Sequence, residues 1–118
     1  MLGELIGEFK GRNTAYRVLP DGKMEASAQG TGKILGIDAF VVNTAVAGLE
    51  NGVFAGEENA IITTMDGDIV MMKSIAINWQ EAGKGGVTRA ASYNITQSQK
   101  LARLNKVISV HEYVTDEN

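Results

Sequence analysis

Residues 24–36 read MEASAQGTGKILG, and the fold turns on whether this glycine-rich run with its Lys33 is a phosphate-cradling loop or a strand. A P-loop places four residues between its first glycine and a Gly-Lys-[Ser/Thr] triplet, whereas here Lys33 is followed by Ile34. Parity favours the strand. The even positions Met24, Ala26, Ala28, Gly30, Gly32 and Ile34 are apolar or small, and the odd positions Lys23, Glu25, Ser27, Gln29, Thr31 and Lys33 are polar. Side chains of a strand alternate between faces, so this is a strand with one buried side. Gly30 and Gly32 fall on the inner face, where a missing side chain lets a neighbouring strand come close or the sheet curve.

Outward from this strand the chain is punctuated by hairpin signals. Pro20-Asp21-Gly22, Asn51-Gly52 and Asp66-Gly67 are turns, and EAGKGG at 81–86 is a looser loop. The segments between them predict strands at 3–10, 13–19, 23–35, 39–49, 53–65, 69–79, 87–95 and 106–114, with a bend at Gly36-Ile37-Asp38. Residues 97–104 (QSQKLARL) differ, being rich in helix formers with Leu101 and Leu104 on one face. Thr96 with Gln99 fits a capping box and Asn105 a left-handed stop, predicting a short helix whose leucines plug one end of the core. The fold class is all-β: a seven- or eight-stranded antiparallel meander barrel over residues 1–118, one domain, with one short helix before the last strand. A β-sandwich is the alternative, but it needs longer crossovers than these turns supply.

Turn lengths then sort side chains by face. A three-residue loop at 20–22 pairs Val18 with Met24 and Tyr16 with Ala26, pointing Tyr16 inward. A two-residue turn at Asp66-Gly67 pairs Ile62 with Met71, Ala60 with Lys73 and Glu58 with Ile75. On that register Phe54, Ile62, Ile69, Met71, Ile75, Ile77 and Trp79 share the core side with Glu58 and Lys73. The odd positions of the next strand, Val87, Arg89, Ala91, Tyr93 and Ile95, follow them. Charges on an inner face are costly unless paired or wetted. Glu58, Lys73 and Arg89 therefore form either an ion network near an open end or the anchors of a ligand cavity walled by Tyr16, Trp79 and Tyr93.

Composition bounds the remaining choices. The 118 residues are 44% hydrophobic, enough for a self-sufficient core. Fourteen glycines against one proline suit a chain of hairpins. Zero cysteines exclude a disulfide framework and thiolate metal sites and agree with a reducing cytosol, so a cytoplasmic location is expected. The start, MLGELIGEFKG, interrupts its apolar residues with Glu4 and Glu8 and does not read as a signal peptide. No run approaches the ~20 apolar residues of a membrane helix. A formal charge of −3 with the signs interspersed leaves no basic stripe for nucleic acid. The single histidine, His111, lies in VISVHEYV, where both parities are largely apolar, and reads as structural rather than as part of a triad or metal site. Asp66-Gly67-Asp68 lacks the later ligands of a calcium loop, Asn94-Ile95-Thr96 is an incidental glycosylation match, and no cofactor or hydrolase motif occurs.

The segment SQKLARLN (98–105), followed by the strand VISVHEY, resembles the C-terminal signature of small uncharacterised prokaryotic proteins, and TTMDGDIVMMK (63–73) is similar to their central hairpin. These proteins resemble in fold the allene oxide cyclase-like barrels of the calycin-like class. The resemblance covers roughly the C-terminal half and implies a barrel; none of the cyclase's site residues maps onto a motif here. The expectation is a non-enzymatic barrel that binds a small amphipathic or anionic molecule through Tyr16, Glu58, Lys73, Trp79, Arg89 and Tyr93. The alternatives are an isomerase or cyclase with Glu58 as general base, and a structural homo-oligomer with a filled interior.

Overall fold

Seven antiparallel strands follow one another in a single sheet in chain order, β1 to β7, curled into a half-barrel. The computed structural model describes residues 3–115. The strands are β1 Gly7–Val18, β2 Met24–Ile34, β3 Ile37–Glu50, β4 Val53–Thr64, β5 Ile69–Glu81, β6 Gly85–Thr96 and β7 Ile108–Thr115. The meander expected from the turns is present, in one layer rather than the two of a sandwich. The two strands expected at 3–10 and 13–19 are one: β1 runs through a register shift between Asn13 and Ala15, a bulge that bends the strand without ending it. β1 and β7 are the two ends of the sheet order, so the barrel is partial rather than closed.

In β2 the alternation reads true. Gly30 and Ile34 are buried, and Gly30 lies opposite Gly11 of β1. A Cβ on Gly32 would stand 1.9 Å from the Glu8 carbonyl oxygen, and one on Gly30 2.6 Å from that of Lys10. The two strands thus approach closer than any side chain permits, which tightens the curl at this end of the sheet.

The plugged end is apolar. Ile34, Ala39, Ile62 and Val70 surround Leu101 and Leu104, which are 0% and 1% exposed. Burying a leucine fully is worth about 1.5–3 kcal/mol, so the pair anchors the connection between β6 and β7. That connection is tighter than the helix expected at 97–104: a 3-10 turn over Ala102–Lys106. The Thr96–Gln99 capping box gives way to other bonds. The Asn105 side chain accepts from Thr96 N at 2.8 Å and donates to Thr96 O at 2.9 Å, and the Thr96 hydroxyl donates to Ile69 O at 2.7 Å. So short a segment, pinned at both ends to the sheet, has no room for α-helical turns and takes the 3-10 form.

The central hairpin departs from expectation. Thr64 N bonds Asp68 O at 2.9 Å and Gly67 N bonds Thr64 O at 2.9 Å, which closes a three-residue loop of Met65, Asp66 and Gly67. Gly67 takes φ +87° while Asp66 is not among the positive-φ residues, the pattern of a type I turn with a glycine bulge rather than a two-residue turn. The Thr64 hydroxyl accepts from Asp68 N at 3.0 Å, and Met65 N donates to Asp38 O at 2.9 Å, fixing the loop from both sides. Glu58 is therefore opposite Ser74, Ala60 opposite Met72 and Ile62 opposite Val70. One residue of slip moves every β5 and β6 side chain to the other face. The inner surface is built from Glu58, Ser74, Asn78, Thr88, Ser92 and small residues. The outer surface of β3 to β7 is apolar, with large side chains from Phe40 at 41% to Ile108 at 74% exposed.

Candidate functional site

Inward positions of β4 and β7 bring together a carboxylate, an imidazole and a phenol. Glu58 is 1% exposed. Its Oε1 lies 3.1 Å from His111 Nε2, and its Oε2 accepts a hydrogen bond from the Tyr113 hydroxyl at 2.5 Å. β7 positions both donors because His111 pairs with Ala90 and Tyr113 with Thr88, two residues apart and hence on one face. Their rings stack with centroids 6.2 Å apart and 9° between planes. A buried carboxylate needs such donors, and charge-assisted bonds of this kind are the stronger class. Burial, reinforced by the Glu58 charge, pushes the Tyr113 hydroxyl far above the ordinary phenol range, so it stays a proton donor.

With the carboxylate accepting at Nε2–H, the other imidazole nitrogen is left over. Among the described residues His111 Nδ1 is buried without a partner, as are the hydroxyls of Ser74 and Ser92. Ser74 faces Glu58 across the strand pair and Ser92 faces Ser74, so a band of polar atoms crosses the half-barrel from β4 to β6.

Above this band the half-barrel is hollow. A cavity of about 470 Å³ opens at the end opposite the leucine plug, its walls including Tyr16, Met24, Phe54, Ala45 and Ala76 and its polar groups Asn13, Asn78, Gln80 and Thr88. Two of these polar pairs are pre-set: Asn13 Nδ2 donates to the Tyr16 hydroxyl at 2.7 Å, and Asn78 Nδ2 donates to Thr88 Oγ1 at 2.8 Å. Glu58 and Tyr113 line the cavity, and no lysine or arginine does. The volume falls within the range of small-molecule sites. Among the described residues no group of three or more His, Asp or Glu is arranged to hold a metal.

Of the six residues expected to form a site, two are in it. Tyr16 and Glu58 line the cavity. Lys73, Trp79, Arg89 and Tyr93 are on the outer face, because the three-residue loop at 65–67 reverses the parity assumed for β5 and β6. The expected network of Glu58 with Lys73 and Arg89 is absent: Arg89 Nε bonds Glu112 at 2.6 Å and its guanidinium lies 5.3 Å from the Trp79 ring. His111, expected to be merely structural, is a partner of Glu58, and Tyr113 was not singled out. The spacing of Ser109, His111 and Tyr113, polar groups at every second residue, is the sequence signal that identifies them. It is masked by the apolar Ile108, Val110 and Val114 between and beyond them.

No protein-family model matches the sequence, and no curated protein matches it. Among solved structures, the crystal structure of the conserved protein of unknown function RPA1785 from Rhodopseudomonas palustris is similar, with a TM-score of 0.73 and 14% identity over 89% of this chain and 82% of that one. At this identity the likeness concerns the fold alone: the curled antiparallel half-barrel recurs in a second chain.

Proposed function

We propose that the protein binds a small amphipathic molecule in the open end of the half-barrel, with Glu58 as the polar anchor and without catalysing a reaction. The observation that carries this reading is a carboxylate 1% exposed at the wall of a cavity whose other inward side chains are aromatic, aliphatic, amide or hydroxyl. A carboxylate held in place by His111 and Tyr113 has further lone pairs for a ligand hydroxyl or ammonium, and it repels an anion. The anionic ligand allowed by the sequence is therefore dropped, since the cations meant to hold it, Lys73 and Arg89, face away from the cavity. The ligand class is a donor head on an apolar body that packs against Met24 and Phe54. A cytosolic setting, in keeping with the cysteine-free chain, and kinship with the allene oxide cyclase-like, calycin-like barrels belong to this reading.

Native mass spectrometry of the protein with matched amphipaths, bearing an alcohol, an amine or a carboxylate on the same apolar body, tests it. The alcohol or amine is expected to bind and to lose about tenfold or more in affinity with Glu58→Gln. Preference for the carboxylate, or binding indifferent to Glu58→Gln, would contradict the assignment.

One observation favours a second reading, an isomerase or cyclase. The 2.5 Å contact sets a phenol donor against a buried carboxylate at the cavity wall, a donor and a base within proton-transfer distance of each other. Turnover of the bound amphipath, lost in Glu58→Gln while binding persists, would separate catalysis from binding.

A further inference from the structure

We propose that the outer face of β3 to β6 is a self-association surface that packs against the same face of a second copy of this chain. Val42, Ile61, Met71 and Ile95 are successive cross-strand neighbours on β3, β4, β5 and β6, forming one unbroken apolar row. They are 43–48% exposed, and Tyr93 and Ile75 beside them are 50% and 70% exposed. A shallow groove of about 260 Å³ runs along this row, bordered by Asn59 and Lys73. The nine half-exposed side chains of this size on β3 to β6 leave on the order of 800 Å² of surface, in line with the ~800 Å² per partner of a standard interface. A monomer's largest apolar patch is usually about 300–600 Å², so a surface this large marks an interface.

Charge selects a second copy as the occupant. Two charged residues lie within the apolar field, Glu57 on β4 and Lys73 on β5. Glu57 pairs with Ile75, two residues along the strand from Lys73. Among the described residues neither has a salt-bridge partner, although Arg89, at the margin, is already paired with Glu112. A twofold axis between them sets Lys73 against Glu57 of the partner subunit and repeats that contact with the roles exchanged, the self-complementarity a dimer requires. A bilayer fits less well. It demands an apolar girdle around a closed barrel, whereas here β1 and β2 present Lys10, Arg12, Gln29 and Lys33 outward and the sheet has two open ends.

Sedimentation equilibrium of the full chain, with circular dichroism to confirm folding, tests the proposal. The wild type is expected to sediment as two chains. Lys73→Glu and Glu57→Lys should each raise the dissociation constant about tenfold or more, and the double variant, which restores opposite signs, should recover most of the loss. Both positions are exposed, so the folded monomer tolerates the changes. A wild type that stays monomeric at ~100 µM would overturn the proposal, as would charge variants that dimerise like the wild type or a double variant no better than either single one. Monomeric wild type that co-sediments with vesicles of phosphatidylcholine and phosphatidylglycerol would assign this face to a bilayer instead.

Discussion

The β1–β2 and β4–β5 hairpins are closed by loops of the same length, yet their two surfaces are composed in opposite ways. In the first, Leu19 closes on Lys23 across a three-residue loop, the outer face carries Lys10, Arg12, Arg17, Glu25 and Lys33, and the inner face carries alanines, glycines and Ile34, with Tyr16 and Met24 at the open end. In the second, Thr64 closes on Asp68, the outer face carries Ile61, Ile69, Met71, Ile75 and Ile77, and the inner face carries Glu58, Ser74 and Asn78. A polar outside facing water needs only a small apolar inside. An apolar outside implies a partner, and a polar inside implies something to hold. The first hairpin is mainly scaffold, adding Tyr16 and Met24 to the cavity wall, and the second supplies the carboxylate of the proposed site and the middle of the proposed interface.

The sharpest way to break the scaffold side of this contrast is Gly32→Val. The new Cβ would meet the Glu8 backbone oxygen rather than a yielding side chain, so a loss of about 3 kcal/mol in denaturant unfolding is expected, with Thr31→Val on the opposite face nearly neutral. Equal effects of the two would refute the assigned faces of β2. On the site side, Glu58→Gln puts an amide N–H against one of two donors, and a loss of about 2 kcal/mol is expected from the same measurement.

A smaller effect is expected in alkali. Tyr113 has its pKa raised on folding, so the folded state holds that proton where the unfolded chain, with an ordinary value near 10, has released it. Stability from this group is complete below pH ~10 and falls as the pH rises beyond it. The wild type should therefore lose stability above pH ~10 more steeply than Tyr113→Phe; parallel pH profiles would mean the hydroxyl is not held as described. The smallest effect belongs to the ion pairs of the scaffold hairpin. Arg17 and Glu25 approach at 3.3 Å in the open, and Glu25→Gln should cost less than about 1 kcal/mol by thermal unfolding.

The same contrast explains how much was legible in the sequence. Turn residues and alternation mark the strands, so the single-sheet meander, the faces of β2 and the leucine plug are readable from residues alone. The faces of β5 are not. Asp-Gly is the strongest signal for a two-residue turn, but Thr64 and Asp38 hold the loop one residue longer through bonds to Asp68 and Met65. A rule that puts apolar residues inside agrees with the two-residue register wherever the outer face is the apolar one. Glu58 and Tyr16 are legible because β4 and β1 keep the same parity in either register. His111 and Tyr113 are not legible, because the exposed apolar residues Ile108, Val110 and Val114 of the same strand hide their spacing.

The most direct test of this inversion lies in two consecutive residues of β5. Ser74, 7% exposed, faces Glu58 across the inner surface, and Ile75, 70% exposed, faces out. Unfolding free energies of Ser74→Asp and Ile75→Asp, measured at several protein concentrations and extrapolated to the monomer, should differ widely. Ser74→Asp sets a second buried carboxylate against Glu58 and should cost about 3–5 kcal/mol, while Ile75→Asp adds a charge to the exposed surface between Glu57, which it faces, and Lys73, and should stay within about 1 kcal/mol of the wild type. The reverse order, with the polar replacement tolerated at Ser74 and ruinous at Ile75, would restore the two-residue turn and contradict both the site and the interface.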